Sequence, residues 1–375
     1  MTIATIQRSD YIDPAHRDDR VLVTVFLRGG ADGLTLVPPI ADDAYRVARP
    51  FLAVGRDDAI DLDGYFALNT NLQPLMKYAE AGDMTIIHGA GSEDGTRSHF
   101  EAQDTMDHGG DLGSGWLARY LRARGPNAAA ISAVCLGATQ SESLRGAPAG
   151  TIVMQSLREF SLGEKDEAVV EQLARLYARE VGPFGQAALD TIEAIRKIRD
   201  IRTRDDAPAG GAVYPETTFG RGMREIARLI KADLGLVATT IDLGNWDTHF
   251  VQLNLIGGLM TQLAQGVDAF MTDLGKESQR VTVVVMTEFG RRLAENTSFG
   301  TDHGAGSTMF LLGENIGNNG IVRSGWPDLS PANLDEVGDV PAAINYRDVL
   351  APILLQHAPS IDIARVFPVH TPVVG

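Results

Sequence analysis

Residues 236–250 read LVATTIDLGNWDTHF. An apolar, β-branched run suited to a buried strand opens into glycine and asparagine, and an indole, a carboxylate and an imidazole follow at once. The plain reading is a turn capped by Asp247, with His249 on the first turn of the next helix. The other reading is a metal site at the carboxyl end of a strand. The rest of the chain bears on the choice by repeating the pattern.

RVLVTVFLRGGADGL, residues 20–34, is a second apolar strand that ends in glycines and then Asp32. MTIIHGAG, AISAVCLGA, GTIVMQS, RVTVVVMTEF and GSTMFLLGENI read as further strands. Helical patterns separate them: LQPLMKYAEAGD, GRGMREIARLIKADL and a long stretch from about 250 to 274. Strands apolar throughout and alternating with helices predict an α/β fold, with a mostly parallel sheet covered on both faces. Ligands of such sheets gather beyond the strand carboxyl ends. Residues from about 157 to 204 are charged, amphipathic and rich in helix formers. They predict a helical insertion or cap within a single domain spanning residues 1–375.

Composition narrows the partners. A formal charge of −16 repels a phosphate backbone and argues against nucleic acid. The single cysteine, Cys135, excludes an intrachain disulfide and thiolate metal clusters. No apolar run approaches a membrane span. The first twenty residues lack the basic start, apolar middle and cleavage site of a signal peptide. The expectation is a cytoplasmic protein, or a periplasmic or exported one from which a signal has been removed. Sequence leaves the oligomeric state open.

Four segments place ionisable residues after predicted strands: Asp32, the Asp247 and His249 pair, Glu288 in MTEFGRR, and Asp302 with His303 in GTDHGAG. Each alone is an ordinary turn residue, cap or structural pair. Together they offer four carboxylates and two imidazoles on one rim. Oxygen and nitrogen donors without thiolate suit zinc, manganese or iron, or magnesium or calcium where carboxylates dominate. GTRSHFEAQD adds Ser98 before a helix, with Glu101 completing a capping-box pattern. The competing role for Ser98 is a nucleophile whose negative charge the helix N-terminus favours. His99 beside it is a candidate ligand or orienting group. Arg291 and Arg292 could hold an anionic substrate or simply pair surface carboxylates. His88 reads mainly as a satisfied strand-end histidine.

FLRGGADGL, RSHFEAQD, GNWDTH, MTEFGRR and GTDHGAG, in that order between about residues 21 and 355, resemble the bacterial domain-of-unknown-function 1501 family. That family is distantly similar to the alkaline phosphatase and sulfatase superfamily, and many of its members are exported. The resemblance implies an alkaline-phosphatase-like fold with a divalent metal, zinc first, in one or two ions. It implies Asp32, Asp247, His249, Glu288 and His303 as ligands, with Ser98 at the nucleophile position. The chain departs from the superfamily where Glu288–Phe289 stands in place of an Asp-His pair, and Asp247 and His249 lie unusually close. These departures leave open a single metal, or a centre completed by Asp302 or His99. The implied function is hydrolysis of a small anionic ester, phosphate or sulfate, with Arg291 steadying developing charge. The alternative is a non-hydrolytic member serving as a binding or structural component of an exported assembly. A nucleotide-binding oxidoreductase is disfavoured, because RGGADG does not supply the G-x-G-x-x-G spacing.

Overall fold

A computed structural model describes residues 19–125, 131–158, 166–180, 182–203, 207–317 and 320–372. The strands are β1 (Val21–Leu27), β2 (Ala59–Asp61), β3 (Ala67–Asn69), β4 (Met84–Gly91), β5 (Ala133–Leu136), β6 (Thr151–Met154), β7 (Ala238–Leu243), β8 (Val281–Met286), β9 (Ser307–Leu312), β10 (Val322–Ser324) and β11 (Ile344–Asn345). The helices are α1 (Gly33–Leu36), α2 (Asp43–Ala48), α3 (Met76–Glu80), α4 (His99–His108), α5 (Trp116–Arg124), α6 (Asp166–Tyr177), α7 (Pro183–Thr203), α8 (Thr218–Lys231), α9 (Gln252–Leu274) and α10 (Tyr346–His357). LQPLMKYAEAGD, expected as one helix, begins as a 3-10 turn over Thr70–Leu75 before α3, with Pro74 inside the turn. Proline has no N–H to donate to an α-helical ladder.

The main sheet runs β10-β4-β9-β8-β1-β7-β5-β6, with β11 beside β4; β2 and β3 form a separate hairpin. β1 sits at its centre, parallel to both β7 and β8. Its side chains alternate between two cores: Val21, Val23, Val25 and Leu27 face one, and Leu22 and Phe26 face the other. Both faces are therefore apolar, which is why the sequence shows an unbroken run instead of alternation. Helices α8 and α9 cover the first face, while α5 and α10 cover the second.

One strand departs from the parallel rule. β9 runs antiparallel to both neighbours, β4 and β8. Its amino end therefore lies at the rim where the parallel strands finish. Residues just before β9 reach the same edge as residues just after β1, β7 and β8.

Within 157–204, the described residues form α6 and α7, which pack on each other; α7 also contacts α8. Ile198 and Ile201 of α7 join the first core, and the described residues of the segment add no strand. Residues 159–165, 181 and 204 of that expected insertion lie outside the described residues. Among the described residues, no helix is long and apolar enough to cross a membrane.

Candidate metal centre

Two glycines fix how the rim begins. Gly29 has φ +121°, and a Cβ there would stand 2.5 Å from the backbone nitrogen of Asp247. Gly30 has φ +66°, and its Cβ would stand 2.5 Å from the Phe289 ring. Only glycine lets the end of β1 pass directly beneath both loops. The freed backbone then works: the Gly29 N–H donates to Glu288 Oε1 at 2.8 Å, and the Gly29 and Gly30 carbonyls accept from Arg291.

Around this crossing His99, Asp247 and His303 form a group whose ligand atoms all lie within 4.8 Å of one another. His99 Nε2 and His303 Nε2 are each 3.4 Å from Asp247 Oδ1. His249 Nε2 lies 2.9 Å from both Asp247 Oδ1 and His303 Nε2. Phe289 tilts against the rings of His99 and His303, at centroid distances of 4.9 and 4.8 Å.

The tautomers follow from the outer partners. His303 Nδ1 faces the Arg97 carbonyl at 2.7 Å, and a carbonyl can only accept. His99 Nδ1 donates to Glu288 Oε1 at 2.8 Å, and His249 Nδ1 donates to Asp302 Oδ1 at 3.1 Å. A neutral ring in any of the three places would thus carry its proton outward and turn an Nε2 lone pair inward. His99 Nε2 is buried and has no hydrogen-bond partner. The facing Nε2 atoms of His249 and His303 need a proton or a cation between them. Ring nitrogens oriented by a carboxylate or carbonyl behind them are the usual arrangement of metal-binding histidines. Donors about 2.1 Å from one tetrahedral ion stand about 3.4 Å apart, close to the spacing here. The residues fit a divalent cation.

The charges agree. Burial pushes the Asp247 carboxyl up, but the bond and charge of Arg291, with His249 and His99, hold it at about 2. Glu288 is likewise pushed up by burial and brought below its ordinary value by hydrogen bonds from His99, Gln103 and the Gly29 N–H. The Glu288 hydrogen bond raises the His99 pKa, while burial lowers that of His303. Four of the six non-glycine residues with positive φ among those described, Arg97, Asn245, Val251 and Phe299, sit on the loops that build the centre. For Val251, at φ +40°, this is true strain, of a kind that concentrates at functional sites.

Several expected roles change. Asp32 is a helix N-cap and a fully buried ion pair, not part of this group. Its Oδ2 accepts from Arg49 Nη1 at 2.6 Å and its Oδ1 from Arg49 Nη2 at 3.0 Å; Thr35 and Gln252 complete the set. A guanidinium occupies the place beside Asp32 that the resemblance gave to a metal. Glu288 orients His99 from behind and is not a member of the cluster; its Oε1 receives Gly29, His99 and Gln103, and its Oε2 accepts from Thr287. Asp302 similarly stands behind His249.

Arg291 cannot reach a substrate. It is buried, and its donors go to the carbonyls of Gly29, Gly30, Thr301 and Trp246 and to Asp247 Oδ1 at 2.7 Å. His303 precedes its strand instead of following one, and the reversal of β9 brings it to the rim. Ser98 occupies the N-cap position of α4, yet its side chain makes no capping bond, and its N–H donates to Thr96 Oγ1 instead of to Glu101. The capping box is therefore absent. Trp246 is fully buried in the first core, and its carbonyl accepts from Arg291. His88 is a satisfied core residue between the Val37 carbonyl and the Trp326 indole.

A family model described as protein of unknown function (DUF1501) matches residues 88–370. The chain belongs to this family. Among solved structures it is similar to Ps i-CgsB in complex with k-i-k-neocarrahexaose, at 11% identity over 93% of this chain and 74% of that one, with a TM-score of 0.40. It is also similar to BT1596, a 2-O GAG sulfatase, at 11% identity over 95% of this chain and 72% of that one, with a TM-score of 0.33. Comparison with curated proteins gives no match. The matched residues include the last part of β4, all of α4 and every residue of the cluster.

Proposed function

We propose that this DUF1501 protein is a metal-dependent hydrolase of a small anionic ester, phosphate or sulfate. The observation that carries the reading is the common setting of His99, His249 and His303: each Nδ1 lies against an oxygen acceptor (Glu288, Asp302 and the Arg97 carbonyl), which leaves each Nε2 to face Asp247. A divalent cation held by His99, Asp247 and His303 would supply Lewis-acid polarisation of an ester oxygen and favour ionisation of a nearby hydroxyl. The chain's own groups do the rest. Glu288 and Arg291 are positioning residues: one sets the His99 ring and the other sets the Asp247 carboxylate. Ser98 offers a hydroxyl free of capping duty at the start of α4, where the helix dipole favours negative charge. His249, its Nδ1–H fixed by Asp302, can take a proton at Nε2.

A second reading rests on His249 itself. Structural zinc sites have four protein ligands, whereas catalytic ones keep a position open. If His249 completes the set, the protein binds metal without turnover and serves as a binding or structural component. His249→Ala separates the two. As a hydrolase, the variant keeps about one metal per chain and loses turnover of an aryl phosphate or aryl sulfate. Loss of the metal, from a parent that turns over neither ester, supports the binding role. A parent protein that takes up no divalent metal at all sinks both.

A further inference from the structure

A cleft lies next to the metal cluster among the described residues. It measures about 1020 Å³ and opens beyond the carboxyl ends of β5, β6 and β7, and His99, Asp247 and His303 are not among its lining residues. Gln103 and Asn245 connect the two places. Gln103 lines the cleft and donates to Glu288 behind His99, and Asn245 lies two residues before Asp247.

Helix α4 sets the separation. His99, Gln103 and Asp107 are spaced four residues apart and therefore share one face. His99 joins the cluster, Gln103 reaches Glu288, and Asp107 pairs with Arg28 at 2.7 Å in the cleft. At about 1.5 Å per residue, the Asp107 level lies about 12 Å along the axis from His99. A molecule reacting at the cluster would place its next few bonds along this face.

The lining has a definite chemistry. Five side-chain amides line the cleft, together with several hydroxyls and a single aromatic ring, Phe219. Amides both donate and accept, as hydroxyl groups do. Five carboxylates line it against two guanidiniums, and one of these, Arg28, is already held by Asp107 and Asp242. The field there repels anions.

Resting on the hydrolase reading above, we propose that this cleft takes an uncharged polyhydroxy group, the part of the ester that leaves, and that Asp242 helps to reject a second negative charge. The substrate class is then an ester with one anionic group on a neutral polyol, such as a sugar, rather than a polyanion. The ester's charge stays at the cluster and the hydroxyls lie among the amides.

The test uses equilibrium binding to the full-length protein after chelation, so that it does not depend on metal or turnover. Methyl glycosides of common neutral hexoses, with methyl glucuronide and methyl glucosaminide as matched anionic and cationic probes, are titrated by calorimetry and saturation-transfer NMR. At least one neutral glycoside is expected to bind, with the glucuronide weaker by about tenfold or more. Asp242→Asn should narrow that gap by about threefold to fivefold, as expected for removing one charge near the ligand in a wet cleft. Equal or tighter binding of the glucuronide, preferred binding of the glucosaminide, or binding by none of the neutral glycosides would each overturn the proposal. An unchanged gap in a folded Asp242→Asn variant removes Asp242 from it. Metal uptake and turnover of a simple aryl ester, measured separately, report on the hydrolase reading alone.

Discussion

Glu288 Oε1 lies 2.8 Å from His99 Nδ1, on the side of the ring opposite the nitrogen that faces Asp247. The same oxygen receives Gly29 N–H and Gln103 Nε2, each at 2.8 Å. Glu288 therefore fixes the ring without joining the cluster. Partners of this kind tune ligand basicity, and their loss typically lowers metal affinity about 10- to 100-fold. Glu288→Gln keeps the shape and should lower zinc affinity by that factor, with about one metal still bound at saturation. Competition against a chelating dye reads the dissociation constant. An unchanged constant would mean that Glu288 is only a structural acceptor.

Asp247 carries the negative charge at the centre of the three imidazoles. Asp247→Asn and His303→Ala should each abolish the rise in melting temperature on adding zinc. For the parent, metal at about 100 times its dissociation constant adds roughly 2.7 kcal/mol to native stability. Melting curves before and after chelation measure it. Variants that keep the full chelator response would show that the cation binds elsewhere.

Ser98 gives a clean separation of roles because its hydroxyl makes no capping bond. A true N-cap loses about 0.5–2 kcal/mol when replaced by alanine. Ser98→Ala should fall below that range in urea unfolding and should abolish ester turnover. Turnover that survives in the folded variant would move the attacking group from Ser98 to water.

Asp32 and Arg49 are both wholly buried, so removing one partner strands the other. Arg49→Met should cost about 3–5 kcal/mol, while replacing both by apolar residues should cost less. The pair also sets a pH dependence. Burial alone would raise Asp32, but Arg49 holds it below its ordinary value. Its stabilising contribution is complete above the unfolded value of about 3.9 and is lost as pH falls below it toward the depressed native value. Denaturation midpoints of the parent should therefore drop steeply below about pH 4, and the double replacement should flatten that drop. Equal acid sensitivity in both would rule out this pair as its source.

Much of the frame is legible in the sequence because burial on two faces leaves an unmistakable trace. VLVTVFL and VTVVVM are buried at every position and apolar but for one threonine each, and both are central strands. Asp247, His249 and His303 are legible because they follow or precede such runs. The rest depends on contacts far apart along the chain. Arg49 sits in YRVARPF, an unremarkable helix end, and nothing local announces that its guanidinium will meet Asp32. Arg291 and Glu288 read as rim residues, and only the crossing of β1 beneath them turns both inward. His99 looked secondary beside Ser98, since four-residue spacing to Gln103 and Asp107 gains meaning only once α4 is set against the sheet. The direction of β9 has no sequence signature, because a buried strand is equally apolar whichever way it runs.

That direction decides what holds His303 in place. A residue leaving a strand is carried by a loop and inherits the loop's freedom. His303 instead enters β9, four residues before Ser307, whose Oγ donates to the Ala31 carbonyl at 2.7 Å. Arg291 and His303 also bridge in antiparallel fashion just ahead of the strand. The reach of His303 is thus indexed to sheet registry. A shift of one residue in the pairing of β9 would exchange its two faces, so the cation would act as a gauge of correct strand alignment.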